Sequence, residues 1–154
     1  AIEWFRTHTF PRISPFLGAV KMTVTQINAG TQHNVVPDHC DFVVDVRPNG
    51  LYTNAELLAA ICEAQPSLSI KARSTRLNSS SLSELHPFVQ RALALGRHPF
   101  GSPTLSNQAV APFPTIKIGP GCYERSHTAD EFIRLSEIEE GIRLYIQLLD
   151  TLTL

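Results

Sequence analysis

One histidine stands among charges directly after a glycine turn: His127 lies in ERSHTADEF, residues 124–132, just past IGPGC at 118–122. A neutral imidazole nitrogen is a common metal ligand, and a loop with Gly119, Pro120 and Gly121 lets backbone approach a bound group and aims the next side chain from a turn. Asp130 and Glu131 could join His127 in a ligand set, or could simply open a solvated helix. His8, His33, His39, His86 and His98 fall in no HxH or HExxH arrangement, and the cysteines in no CxxC, so nothing local completes a tetrahedral site. On residues alone, a surface or hydrogen-bonded histidine is the commoner outcome. Ser126 adjoins His127 but no GxSxG elbow holds it. Cys122, beside a flexible glycine, is the other candidate nucleophile, and nothing in its spacing marks it as activated.

A second constellation comes earlier. NAGTQHNVVP at 28–37 joins two apolar-alternating runs, and DVRP at 45–48 ends the second of them. Asn34 offers an amide donor that could hold a developing oxyanion, and Arg47 a planar fork that could take a carboxylate through two parallel hydrogen bonds. The alternatives are a turn asparagine and a surface arginine, which spacing alone favours.

These side chains must be carried by elements that the pattern also predicts. Residues 19–28 alternate Val20, Met22 and Val24 with Lys21, Thr23 and Thr25; residues 39–47 alternate Cys40, Phe42, Val44 and Val46 with Asp41, Val43, Asp45 and Arg47. Both read as half-buried strands. Ala1–Phe5 reads as part of an amphipathic helix with no capping residue ahead of it. Thr53 and Glu56 form a capping box for a helix over AELLAAICEA that Pro66 stops, and Leu68, Ile70 and Ala72 alternate as a further strand. This order predicts an antiparallel sheet with helices on one face, an α+β sandwich. The serine-rich RLNSSSLSEL then acts as a linker, dividing the chain into lobes 1–78 and 79–154. In the second lobe a helix is expected from Pro87 to Leu95, closed by Gly96, and a buried strand within 112–118. A last helix is expected to open on a Ser136 and Glu139 capping box and to pack through Ile138, Ile142, Tyr145 and Leu149.

Composition limits the partners. The chain has 154 residues, 43% hydrophobic and 18% charged, with 13 Lys and Arg against 14 Asp and Glu. That balance gives no cationic surface for nucleic acid or an anionic membrane. No apolar run reaches the roughly 20 residues of a membrane helix. The three cysteines, Cys40, Cys62 and Cys122, are widely spaced and fit isolated thiols, so a cytoplasmic location is expected.

GTQHNVVP with DVRP, then GSPTLSNQA at 101–109, PFPTIKIGPG at 112–121 and SHTADEF at 126–132, resemble the zinc-dependent acetylornithine deacetylase, aminoacylase and carboxypeptidase G type family, and within it the acetylornithine or succinylornithine deacetylase branch. The resemblance implies a ferredoxin-like lid and dimerisation domain over residues 1–78, lacking its first strand. Residues 79–154 would be the C-terminal part of an α/β catalytic domain. It implies an amidohydrolase that removes the acyl group from an N-acyl amino acid, such as N-acetylornithine or N-succinylornithine, in arginine biosynthesis. Two zinc ions, or cobalt, would serve the full-length enzyme, which would dimerise through its lids. Carried over by position, His127 matches a zinc ligand, and Asn34 and Arg47 match the lid residues that meet the substrate carbonyl or carboxylate. Thr104 and Ser106 match the pocket-lining loop, and Gly119 and Gly121 the turn beside it. Asn107 stands where the family pattern has an aspartate. The remaining ligands and the general-base glutamate belong to a segment ahead of the lid, to which nothing here corresponds, so the chain by itself is expected to lack hydrolase activity. A stand-alone dimerisation module, or a carboxylate-binding domain without chemistry, are the alternatives.

Overall fold

In the computed structural model, which describes residues 1–150 and 152, the two alternating runs are strands. β1, Lys21–Ala29, pairs antiparallel with β2, Cys40–Arg47. Met22 and Val24 on β1, and Phe42, Val44 and Val46 on β2, turn one apolar face toward the core, while Lys21, Thr23, Asp45 and Arg47 face solvent. The register slips between Val24 and Gln26, so Thr25 bulges. A bulge adds one residue and breaks the inward alternation. Every residue from Thr25 to Asp41 is accordingly exposed.

Helices cover the apolar face. α1, Ile2–Thr7, starts at Ala1 without a side-chain cap, and α2, Asn54–Ala64, carries the expected box. The Thr53 hydroxyl accepts from the Glu56 amide, and the Glu56 carboxylate takes the Thr53 N–H at 2.7 Å. Phe5, Phe10, Val20, Leu57 and Ile61 form the buried centre. His8 finishes the aromatic packing, stacked on Trp4 at 4.3 Å and edge-on to Phe10 at 4.8 Å, so its part is structural. Leu68 and Ile70 pack on this core as the alternation predicts, but residues 68–72 form no strand. A strand exists only through ladder pairing, and this run settles its side chains without any: its one recorded backbone bond is the turn from Leu68 N–H to the Gln65 carbonyl. The sheet therefore has two strands.

The side chain of Asn49 locks this layer to the segment before β1. It is 2% exposed; its amide donates to the Arg12 and Gly18 carbonyls, both at 2.8 Å, and its oxygen accepts from Leu51 N–H at 3.2 Å. Ser14 and Gly18 form a bridge there, with Gly18 at φ +72°. Beside it, Arg12 lies 3.7 Å over the Tyr52 ring and pairs with Glu56 at 3.1 Å. Hydrogen bonds from Thr53 and Arg12 hold the Glu56 carboxyl down to about 2.

The chain divides into two units, Ala1–Ser80 with Phe100–Pro112, and Ser81–Pro99 with the chain from Phe113 onward. The serine-rich stretch makes the first crossing, and residues 100–112 return to the first unit. In the second, α3, Pro87–Ala94, is capped by the His86 ring nitrogen, which accepts from Phe88 N–H at 3.2 Å. It ends with Gly96 at φ +73°; Arg97 N–H reaches the Ala92 carbonyl and Gly96 N–H the Leu93 carbonyl, both at 2.9 Å. This is the double-bonded glycine stop expected of the sequence.

α4, Leu135–Leu149, begins before the expected start. Arg134 is the capping position and Glu137, not Glu139, takes its N–H at 2.8 Å, leaving Ser136 inside the helix. The helix also buries another face. Gly141 and Leu148 are buried and Leu144 and Tyr145 half-buried, whereas Ile138, Ile142 and Leu149 are exposed. Gly141 explains the choice, because a Cβ there would come within 2.8 Å of the Pro120 ring. The run 112–118 is not a strand: Pro112 and Pro114 have no N–H to give a ladder, and only Thr115, Ile116 and Ile118 are half-buried.

Two outcomes follow. Asn49→Ala strands two carbonyls and should cost about 2–3 kcal/mol, read as a lower urea midpoint at unchanged slope. Glu56 is ionised more readily folded than unfolded, so its contribution is complete above the ordinary value of 4.5 and is lost as pH falls from there toward 2. Glu56→Gln should therefore flatten the acid limb of a plot of melting temperature against pH between 5 and 2.

Candidate functional site

His127 is the only non-glycine residue with positive φ among the described residues, at +63°. For an L-residue that backbone costs roughly 1–2 kcal/mol, and it persists only where the surroundings hold it. Here they do. The His127 N–H donates to the Glu131 carboxylate at 2.9 Å, and the Thr128 hydroxyl donates to the Arg125 carbonyl at 2.8 Å. Arg125, from the short 3-10 turn Tyr123–Arg125, pairs with Glu137 on the first turn of α4; their side chains are only 19% and 22% exposed. Its guanidinium also reaches the Phe132 carbonyl at 3.4 Å and lies 4.5 Å from the centre of the Phe132 ring. The pair holds the Glu137 carboxyl below its usual range and the guanidinium above its own. The loop from 123 to 134 is thus stapled to α4, with the His127 ring presented to solvent.

Around the preceding turn, Gly119, Pro120 and Gly121 line a shallow groove with Arg97, Glu140 and Tyr145. Arg97 pairs with Glu140 at 2.6 Å, and Tyr145 donates to the Ile118 carbonyl at 3.0 Å. Gly121 has φ +87°, while a side chain at Gly119 would meet open space. Cys122 donates its thiol hydrogen to Glu124 at 2.6 Å, which keeps that carboxyl low.

The other predicted residues belong to the first unit. Arg47 ends β2 with Nε on Asp45 at 2.7 Å and Nη1 on the Pro103 carbonyl at 3.4 Å, which raises its already high pKa through Asp45 and leaves the guanidinium partly open. The loop it touches is seated by Gly101, where a Cβ would strike Leu17 and the Phe16 carbonyl at 2.7 Å. In that loop Thr104 bonds Ser102 at 2.8 Å, and Ser106 accepts from Gln108 N–H to cap the turn Asn107–Val110. Arg47, Thr104 and Ser106 are therefore brought into one region. Asn34 is not: it is exposed in the loop joining Ala29 to Cys40, at the opposite end of the hairpin from the Lys21 and Arg47 pair. Seven residues of strand, about 23 Å at 3.3 Å each, separate Cys40 from Arg47.

The donor set does not make a metal centre by itself. Among the described residues no three His, Cys, Asp or Glu side chains converge, so His127 offers one ligand where protein zinc sites use three or four. The free cysteines are all exposed, and no helix of the described residues is long and apolar enough to cross a membrane. Sequence reasoning missed Asn49, Gly101 and the strained backbone of His127. The last has one signal in the sequence, a glutamate four residues on.

Residues 6–66 match a peptidase dimerisation domain. The span takes in the last two residues of α1, both strands and all of α2, and the two-stranded α+β layer built there agrees with a lid of that kind. No curated protein matches the chain.

If the strain at His127 is held for use and not for stability, His127→Gly should raise the unfolding free energy by about 1 kcal/mol, relief of the left-handed conformation offsetting the extra flexibility of the unfolded chain. Equilibrium denaturation checks it.

Proposed function

We propose that this chain is the lid and the C-terminal catalytic segment of a metal-dependent amidohydrolase acting on N-acyl amino acids, with N-acetylornithine or N-succinylornithine as substrate. The dimerisation-domain match over 6–66 carries the reading. The ordered motifs beyond that span support the branch, and the held, left-handed His127 supports a ligand role for its ring. In this reading zinc supplies the Lewis acid and the activated water. The chain's own residues do three things. His127 offers one imidazole, Arg47 holds a substrate carboxylate with the part of its fork that Asp45 leaves open, and the loop bearing Thr104 and Ser106 lines the approach. The remaining ligands and the general base come from polypeptide outside this sequence, and lids from two copies associate.

The test is direct. The 154-residue chain, dialysed exhaustively, is assayed for metal by elemental analysis and for deacylation of N-acetylornithine and N-succinylornithine, with and without added zinc. No stoichiometric metal and no turnover are expected, with weak, calorimetrically detectable binding of the acyl amino acid. Arg47→Ala should weaken that binding about tenfold or more, the scale of a charge-assisted bond. Stoichiometric zinc with turnover would show that the ligands lie within this chain; binding that ignores Arg47→Ala removes Arg47 from the site.

A further inference from the structure

The solvent face of the hairpin carries two cations side by side. β1 and β2 pair with Lys21 directly opposite Arg47, and Thr23 opposite Asp45. All four residues are exposed. Residues directly opposite in an antiparallel pair hold their Cβ atoms about 4.5–5.5 Å apart, and like charges so placed repel. The register that brings them together is fixed from beneath, where Met22, Val24, Val44 and Val46 pack on the core. A slip that separated the cations would turn these apolar side chains out to water.

Asp45 answers only one of the two. Its carboxylate takes the Arg47 Nε hydrogen at 2.7 Å, and the Pro103 carbonyl takes one hydrogen of Nη1 at 3.4 Å. The second Nη1 hydrogen and both on Nη2 stay open, an edge that suits a planar carboxylate. The Lys21 ammonium makes no ion pair with any described residue. Two positive groups thus share one negative partner, in a chain whose formal net charge is −1. The base of the hairpin is a local positive site on a nearly neutral protein, which favours anions there.

The two cations differ in what they can take. The open edge of Arg47 is filled by one carboxylate through both of its oxygens. Lys21 is a compact charge on a flexible stem and remains free to meet a second negative group. A ligand with two carboxylates satisfies both and relieves the repulsion between them.

We infer that Lys21 is a second anion-binding residue beside Arg47, and that the N-acyl amino acid taken by this site has an acyl group ending in a carboxylate, as a succinyl group does and an acetyl group does not. The α-carboxylate meets Arg47 and the acyl carboxylate meets Lys21. The assignment rests on the proposed role of Arg47 as the residue that holds the substrate carboxylate, and it chooses between the two acyl groups named there.

The test is calorimetric titration of the 154-residue chain with N-succinylornithine and N-acetylornithine in parallel. The chain should bind the succinyl compound about tenfold or more tightly than the acetyl one, the scale of one charge-assisted bond. Lys21→Gln should abolish that preference by weakening the succinyl compound alone. Lys21→Arg should retain it, and added salt should shrink it. Arg47→Ala should weaken both compounds. Without ligand, Lys21→Gln should unfold at a urea midpoint no lower than that of the unaltered chain, because a like-charge contact has been removed.

Equal affinity for the two compounds, a preference that survives Lys21→Gln, or a Lys21→Gln variant that weakens both alike would overturn the assignment while leaving Arg47 in its role. Binding that ignores Arg47→Ala, or a chain that binds neither compound, would remove the role of Arg47 and the assignment with it. A lower urea midpoint for Lys21→Gln would show that the fold itself holds the ammonium, and would also overturn it.

Discussion

A hairpin of two strands has one apolar face and no second sheet to press it against, and the first unit is organised by that requirement. Met22, Val24, Phe42, Val44 and Val46 need a lid of side chains. α1 and α2 supply Phe5, Leu57 and Ile61, and the extended run with Leu68 and Ile70 closes the side. Because two strands with one hydrophobic face are marginal alone, the layer depends on joints that keep its cover in place. The buried Asn49 amide ties the turn before β1 to the exit of β2. The Asn54 side chain, donating to the Leu77 carbonyl at 2.8 Å, ties the chain after the core to the start of α2. Arg47 leaves the end of β2 from this framework, so whatever it grips is positioned by the same packing.

The second unit solves the matching problem with a glycine. Pro120 sits on Gly141, so α4 approaches the Gly119 to Gly121 turn at backbone distance. The Arg125 and Glu137 pair then fastens the His127 loop to the same helix. Helix contact, groove and left-handed histidine are one construction: the choice of which α4 face is buried also decides where the imidazole is held.

That choice is where the sequence was hardest to read. Alternation and caps located both strands, α2 and α3 well, since Thr53 with Glu56, and Pro87 with Gly96, act locally and owe nothing to distant residues. α4 carries apolar residues around more than half its circumference, so periodicity alone cannot tell the covered face from the open one; Pro120, remote in sequence, decides. Likewise Leu68, Ile70 and Ala72 have the alternation of a strand, but pairing depends on an available edge, which no local pattern encodes. At the candidate site the motifs around His127 and Arg47 were legible as residue types. The strain at His127 was not, because a glycine, not a histidine, is the residue such a backbone normally announces. Asn49 was hidden in the same way: followed by Gly50, it looks like a turn and is a buried anchor.

The bulge at Thr25 divides the hairpin into two mechanical parts. Between Lys21 and Val24 on one strand, and Val44 and Arg47 on the other, ladder hydrogen bonds are backed by the core and open only with it. Beyond the bulge they bridge two exposed strands, with Phe42 the one half-buried side chain to steady them. Backbone bonds without packing behind them open locally at little cost. The outer half, with the loop carrying His33 and Asn34, is therefore the part of the hairpin that opens first, while the layer that carries Arg47 stays folded.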